Sequence, residues 1–214
     1  MWATSEAKLG VVALATLAIG LATCGGDNGD ETTAQEAADA RTAAPDLDRF
    51  LMRKDEEPGF RLGAAPGAEP ASGGTIQGVE AFVEEMKLAP ADAQRLRSEG
   101  FTSYAFEPIR GPQTAGITNV ALYETAEGAK HSLAHETRTD VIRSFGPVAN
   151  LRRFSVPGIP GARGWTASEP QVGNVNWVQG RCMLVLGNQG PGPFAGPLST
   201  GARAIYERTN GQCP

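Results

Sequence analysis

The chain has 214 residues, of which 41% are hydrophobic, 20% charged and 7% aromatic. This composition excludes a multi-pass membrane protein, a coiled coil and a chain that is disordered throughout. Most of the formal net charge of −5 lies in residues 25–45, so the remaining domain is near neutral. The most closely spaced basic residues of the domain are Arg152, Arg153 and Arg163. Apolar and Gly/Pro residues interrupt them, so they do not form a continuous basic face, and we expect no nucleic-acid partner.

An uncharged apolar segment lies near the start of the chain. Residues 9–23 are rich in Ala, Leu and Val, which is typical of the hydrophobic region of a signal peptide. A helix of that length reaches about 22 Å, short of the roughly 30 Å hydrocarbon core of a bilayer. The segment therefore predicts export and processing. An uncleaved anchor helix and an ordinary cleaved signal with a chance cysteine are the alternatives.

The segment ends in Leu21-Ala22-Thr23-Cys24, which resembles the lipobox of bacterial lipoproteins. The resemblance implies that the Cys24 sulfur receives a diacylglycerol and that cleavage makes Cys24 the first residue of the mature protein. It also implies that acyl chains such as palmitate hold the protein on the membrane, and two such chains provide stable anchoring. Residues 25–45 contain no large apolar side chain and are acidic, so we expect a disordered tether there. The predicted organisation is a signal peptide (1–24), the tether (25–45) and one domain (46–214).

The cysteine count predicts a disulfide. Three cysteines are present, and assigning Cys24 to lipid leaves Cys182 and Cys213 as a pair in a compartment where disulfides persist. Such a bond would tie the last helix to the sheet. Two unrelated buried thiols are the alternative. We expect no metal site at either residue, because neither has a second Cys or a His at ligand spacing.

Hydrophobic periodicity and turn residues predict the elements of the domain. In chain order we expect a short helix at 47–51, a loop at 61–74, helices at 79–86 and 90–99, strands at 101–109 and 117–124, a helix from the capping Thr125 to 144, strands at 151–156 and 164–167, a hairpin of 172–178 and 181–186, and a final helix at 198–209. Strands joined mainly by tight turns predict an α+β fold, with an antiparallel sheet and helices packed on it. The strand-strand-helix order at 101–144 and 172–210 suggests a weak internal duplication.

Three short phrases of the domain are similar to those of uncharacterised secreted proteins and lipoproteins of actinobacteria. They are Glu57-Pro58-Gly59-Phe60, residues 96–101 and residues 156–162. The resemblance extends over residues 47–214. It implies a location in the cell envelope and brings no activity or site residues with it.

The two histidines are the candidates for chemistry. His131 and His135 lie four residues apart on a predicted helix, a spacing that could place two imidazoles on one metal ion. In helical projection both lie away from the apolar face, so we interpret them as a solvated pair. With both histidines on that helix, a Ser-His-Asp triad is not expected.

The glycine repeat and the large aromatic residues have ordinary structural interpretations. The glycines of residues 158–164 favour a turn over a phosphate-binding loop, because the repeat contains a proline and lacks Lys-Ser/Thr. Trp165, Trp177 and Phe194 are expected in the core. The alternative is that Trp165 or Phe194 lines a binding surface.

These observations predict a non-catalytic envelope lipoprotein on the extracytoplasmic face of the cell membrane. Its partners would be membrane lipid, through acylated Cys24, and an unidentified small ligand or envelope protein that it binds or senses. We expect no catalytic residue, cofactor or metal ligand. The alternative is an envelope enzyme, metal-assisted at His131 and His135.

Overall fold

A computed structural model of the chain describes residues 46–56, 61–62, 73–110, 114–144, 146 and 148–213. Cys24 and the tether at 25–45 lie outside the described residues, and what the sequence predicts for them stays a prediction. No helix in the described ranges has the length and apolar character needed to cross a bilayer.

An antiparallel sheet of eight described strands forms the centre of the domain. The strands are β1 (Arg61–Leu62), β2 (Gly74–Gln77), β3 (Phe101–Arg110), β4 (Ala115–Tyr123), β5 (Arg152–Ser155), β6 (Arg163–Ser168), β7 (Gln171–Gln179) and β8 (Cys182–Gln189). Their order is β1-β3-β4-β8-β7-β6-β5, and β2 also pairs with β3. The predicted α+β class is confirmed, and the apolar arm of the predicted hairpin, β8, lies between β4 and β7.

Two short 3-10 helices, Asp48–Phe50 within the helix predicted at 47–51 and Lys54–Glu56, precede the sheet, and five described α-helices accompany it. The α-helices are α1 (Val79–Met86), α2 (Pro90–Ser98), α3 (Ala126–Glu136), α4 (Thr139–Ser144) and α5 (Ala195–Arg208). Thr125 caps α3 as predicted, because its side chain accepts a hydrogen bond from the Gly128 amide (3.0 Å). The prediction of one helix from 125 to 144 is wrong, since it is divided between α3 and α4 at Thr137 and Arg138. The predicted loop at 61–74 contains β1 and the start of β2, two short strands that pair with β3 through the backbone and show no alternating apolar pattern.

The two faces of the sheet carry different helices. One face packs against α5 and includes Val175, Trp177, Leu184 and Leu186. Side chains alternate across a strand, so the odd-numbered residues of β8 face the other side, where α3 packs and Met183 belongs to a second apolar cluster. The strand-strand-helix order does occur twice, but α3 and α5 lie on opposite faces. A duplication would relate the two halves by a two-fold axis between the antiparallel neighbours β4 and β8, and such an axis would place both helices on the same face of the sheet. The repeat therefore concerns only the order of the elements.

The beginning of the domain is attached on the α5 face. Leu47 and Phe50 are buried in the same cluster as α5. The Arg208 guanidinium donates to the Leu51 carbonyl (2.8 Å) and forms an ion pair with Glu56. The chain segment that follows the predicted tether is therefore held against α5.

The structure contains the Cys182–Cys213 disulfide that the cysteine count predicts. Its Cα atoms are 5.7 Å apart, and it links the start of β8 to the residues after α5. Beside it, the Gln179 amide donates to the Thr209 hydroxyl (2.9 Å) and to the Gln212 carbonyl (3.1 Å). The carboxyl end of α5 is thus joined to the β7–β8 hairpin by a covalent bond and by hydrogen bonds.

Candidate functional site

Two arginines from neighbouring strands meet at the end of α3. Arg153 of β5 donates through Nη2 to the Thr137 carbonyl (2.8 Å) and to the Thr139 hydroxyl (3.0 Å). Arg163 of β6 donates through Nη1 to the Thr137 hydroxyl (2.7 Å), which itself donates to the Leu133 carbonyl (2.7 Å). Cations at the carboxyl end of a helix interact favourably with its dipole. These contacts explain why α3 ends here, and they leave two exposed arginines side by side.

A row that contains two asparagines crosses the sheet next to these arginines. Asn176 of β7 pairs with Arg163 of β6 on one side and with Val185 of β8 on the other. Val185 in turn pairs with Asn119 of β4. Asparagine is disfavoured in strands. Here two asparagines lie on the α3 face of the sheet, between two clusters of apolar side chains.

Two amides of β7 have a buried atom without a hydrogen-bond partner. They are Nδ2 of Asn176, a residue with 4% of its surface exposed, and Oδ1 of Asn174, which is half-buried. The two residues alternate along β7 and so share a face. Nearly all buried polar groups in proteins are paired, so an unpartnered donor and acceptor together call for an explanation. We call Arg153, Arg163, Asn174 and Asn176 the arginine–amide site.

The end of the sheet that carries this site is basic. Residues 137–170 contain five arginines and only two carboxylates, a net charge of +3. Asp140 forms an ion pair with Arg138, whereas Arg153 and Arg163 bond only to neutral oxygens in the contacts given above. Along the sequence, apolar and Gly/Pro residues interrupt these arginines. The sheet brings two of them together, because residues ten positions apart on β5 and β6 become near neighbours.

The large aromatic residues are buried, as expected for core residues. Trp165 packs with Ala167, Val172 and Ile142 in a small apolar cluster under α4, beside the arginine–amide site. Trp177 and Phe194 belong to the cluster on the α5 face, which also includes Leu198. The alternative that Trp165 or Phe194 lines an exposed surface is not supported, since each has only 5% of its surface exposed.

The two histidines of α3 differ in their exposure and contacts. The His131 side chain is 66% exposed, and its Nε2 lies 3.2 Å from Glu127 Oε1. His135 is half-buried rather than fully solvated, and burial, followed by the nearby charges of Arg95 and Arg138, lowers its pKa. Across the part of the chain that the structure describes, no three His, Cys, Asp or Glu side chains gather in a group that could hold a metal ion.

A second polar cluster joins α2 to α3. Arg95 of α2 donates to Glu99 (2.8 Å) and to Glu136 of α3 (3.0 Å). Burial raises the pKa of both carboxyls, and the guanidinium of Arg95 opposes that effect. The Tyr123 hydroxyl donates to Ser132 (2.7 Å), and the Ser132 side chain acts to lower the pKa of Glu99. Ser132 is 1% exposed, too buried to attack a substrate, so the cluster is a connection between elements.

Replacing the unpartnered Asn176 by leucine is expected to stabilise the domain. A buried polar atom that lacks a partner costs about 1 to 3 kcal/mol, and leucine, which has the same branched skeleton of heavy atoms, carries no such atom. Urea denaturation of Asn176→Leu should therefore give a free energy of unfolding about 1 kcal/mol higher than that of the wild type. The control is Gln171→Leu at an exposed position of the same strand, and it should change the free energy of unfolding by less than about 0.5 kcal/mol. A destabilised Asn176→Leu would mean that the amide is satisfied in the free protein.

Comparison with known proteins gives one distant structural similarity. No protein-family model matches the chain, and no curated protein matches it. Among solved structures, the extracellular domain of PknH from Mycobacterium tuberculosis aligns with a TM-score of 0.45 at 12% identity. The alignment covers 75% of this chain and 95% of that one. A similarity at this level supports no assignment of function.

Proposed function

We propose that this chain is a non-catalytic, extracytoplasmic binding protein that is anchored to the membrane through acylated Cys24. Its ligand or envelope partner binds at the arginine–amide site. The observation that carries the proposal is the unpartnered amide of Asn176 beside the paired guanidinium groups of Arg153 and Arg163.

The disulfide supports the proposed location. Disulfides persist in secreted and envelope proteins and are rare in reducing cytosol. The Cys182–Cys213 bond leaves Cys24 as the remaining cysteine, at the end of the lipobox-like sequence. The cysteine usage of the chain is thus consistent with export and lipidation.

The point of attachment supports the proposed site. Leu47 and Phe50 hold the beginning of the domain on the α5 face. The arginine–amide site lies on the opposite face of the sheet, because Asn176 and Arg163 alternate with the residues that face α5. The described chain therefore begins on the face opposite the arginine–amide site.

Several contacts favour binding over catalysis. The carboxylates of Glu99 and Glu136 are bonded to Arg95, and His131 lies against Glu127. These groups are therefore engaged in contacts between or along helices. The enzyme alternative requires metal binding at His131 and His135. Zinc that binds the full chain in one-to-one ratio and is lost in His131→Ala would support that alternative.

The anchoring part of the proposal predicts that Cys24→Ser releases the protein from the membrane. Serine has no thiol to receive diacylglycerol, so the variant should lose its lipid anchor and move to the soluble fraction after cell fractionation. The matched control is Thr23→Ala, which changes the neighbouring residue and leaves the thiol, and it should remain membrane-bound. A Cys24→Ser chain that stays fully bound and unprocessed would favour an uncleaved anchor helix.

A further inference from the structure

We propose that the arginine–amide site binds a phosphorylated ligand that also carries hydroxyl groups, the chemical class of sugar and polyol phosphates. This inference rests on the proposed function, because it names the ligand class of the same site. It depends on two features: the charge of the arginine pair, which forms no ion pair with a carboxylate of the described residues, and the unpartnered amides of β7.

The arginine pair has the properties of an anion site. Several arginines among the described residues form ion pairs with carboxylates: Arg95, Arg97, Arg138 and Arg208. Arg153 and Arg163 instead bond to the neutral oxygens of Thr137 and Thr139. Each guanidinium has five N–H donors, and the contacts described use one nitrogen of each. The planar fork of a guanidinium group matches the geometry of phosphate oxygens, which it can bind through paired hydrogen bonds.

The two amides indicate hydroxyl groups next to the phosphate. Asn176 has an unpartnered donor, and Asn174 has an unpartnered acceptor. A hydroxyl group both donates and accepts, so it satisfies either amide, whichever way the carboxamide is turned. Asn174 is half-buried and Asn176 is deeper on the same face, and the unpartnered atom of each lies below the surface. A polyol that binds there would therefore place hydroxyl groups on both amides as it displaces the atoms that cover them.

A purely structural role explains less of this arrangement. The arginines do end α3, and one guanidinium on Thr137 would suffice for that contact. Helix termination gives no reason for the asparagines, which interrupt an otherwise apolar part of the α3 face. Residues that lower stability without a structural benefit are typical of binding sites.

The test is calorimetric titration of the full chain in detergent with four probes. Glucose 6-phosphate should bind with a Kd at least about tenfold lower than that of inorganic phosphate or glucose, since only it offers both charge and hydroxyl groups. Glycerophosphoinositol is a phosphodiester that represents a deacylated lipid headgroup. Tighter binding of this probe would identify a membrane lipid as the source, whereas tighter binding of glucose 6-phosphate would identify a soluble phosphomonoester. Either result supports the ligand class.

Substitutions at the site separate binding from folding. Arg163→Ala and Asn176→Leu should each weaken binding of the better phosphorylated probe by about tenfold or more. The matched control is Arg152→Ala, since Arg152 is exposed on the same strand as Arg153 and points to the opposite face. It should leave the Kd unchanged, and the far-ultraviolet circular dichroism of all variants should match the wild type.

Three results would overturn the inference. Absence of binding by both phosphorylated probes would do so. Binding that Arg163→Ala leaves unchanged would do so as well. Glucose binding as tightly as glucose 6-phosphate, with loss in Asn176→Leu, would refute the phosphate requirement while leaving the site of the proposed function in place. Separate results test the proposed function itself. Zinc binding at His131, or a chain that stays anchored to the membrane without Cys24, would contradict it.

Discussion

Replacing Cys182 and Cys213 together by alanine is expected to lower the free energy of unfolding by about 3 to 4 kcal/mol. The bond closes a loop with a sequence separation of 31 residues, and its loss releases the unfolded chain from that constraint. Cys182 is also fully buried beside Trp177 and Leu184, so the packing around it is disturbed. The measurement is urea denaturation of both proteins at one pH, with the slope compared to check that unfolding remains two-state.

The control for this prediction is the wild-type protein with and without reductant. Reduction should reproduce most of the loss, whereas the double variant should be insensitive to reductant. Cys24→Ser should denature like the wild type under both conditions. A wild type whose midpoint does not move on reduction would show that the two sulfurs are not bonded in solution.

Replacing Arg95 by leucine is expected to lower the free energy of unfolding by about 3 kcal/mol near neutral pH. Arg95 is the cation shared by Glu99 and Glu136, whose side chains are only 8% and 27% exposed. Removing it leaves two carboxylates partly buried without a counterion, which is costly because neither regains full hydration. The matched control on the same helix is Arg97→Leu, since the Arg97–Glu80 pair is solvent-exposed and contributes at most about 1 kcal/mol.

The loss in Arg95→Leu should shrink as the pH falls. Burial already raises the pKa of Glu99 and Glu136 above the ordinary value of 4.5, and removing the guanidinium raises both further. A carboxyl with a raised pKa binds its proton more tightly in the folded state, so its contribution is most favourable below about pH 4.5 and declines as the pH rises. Unfolding measured near pH 7.5 and pH 4.5 should therefore show the larger defect at the higher pH. Equal defects at both values would mean that Arg95 acts through packing alone.

The parts of the fold that local pattern specifies were predictable. Val79, Phe82 and Val83 form a helical stripe, and this segment is α1. The continuous apolar run after Gly180 predicts a central strand, and it is β8, because only a strand with neighbours on both sides and helices on both faces can bury such a run.

The parts that depend on distant partners were not predictable. The helix at 125–144 is divided at Thr137 because Arg153 and Arg163 bond there from 16 and 26 residues further along the chain. Short strands β1 and β2 form through backbone pairing with β3, which leaves little trace in side-chain pattern.

The arginine–amide site left one signal in the sequence. Asn174 and Asn176 alternate within an apolar strand, where their polarity is unfavourable on a covered face. The sequence could not show that Arg163 would be the strand neighbour of Asn176, because that pairing depends on the register of β6 against β7. The sequence pattern alone therefore indicates two unfavourable polar residues in a strand, but not the site to which they belong.

The intact mass of the native protein extracted from membranes tests the proposed anchoring and export most directly. We predict the mass of residues 24–214 with diacylglycerol on Cys24, and two alkylatable thiols that appear only after reduction. That result would place the lipid on Cys24 and the disulfide between Cys182 and Cys213 in the same molecule. An unlipidated chain that retains residues 1–23, or one whose thiols react without reduction, would contradict the account.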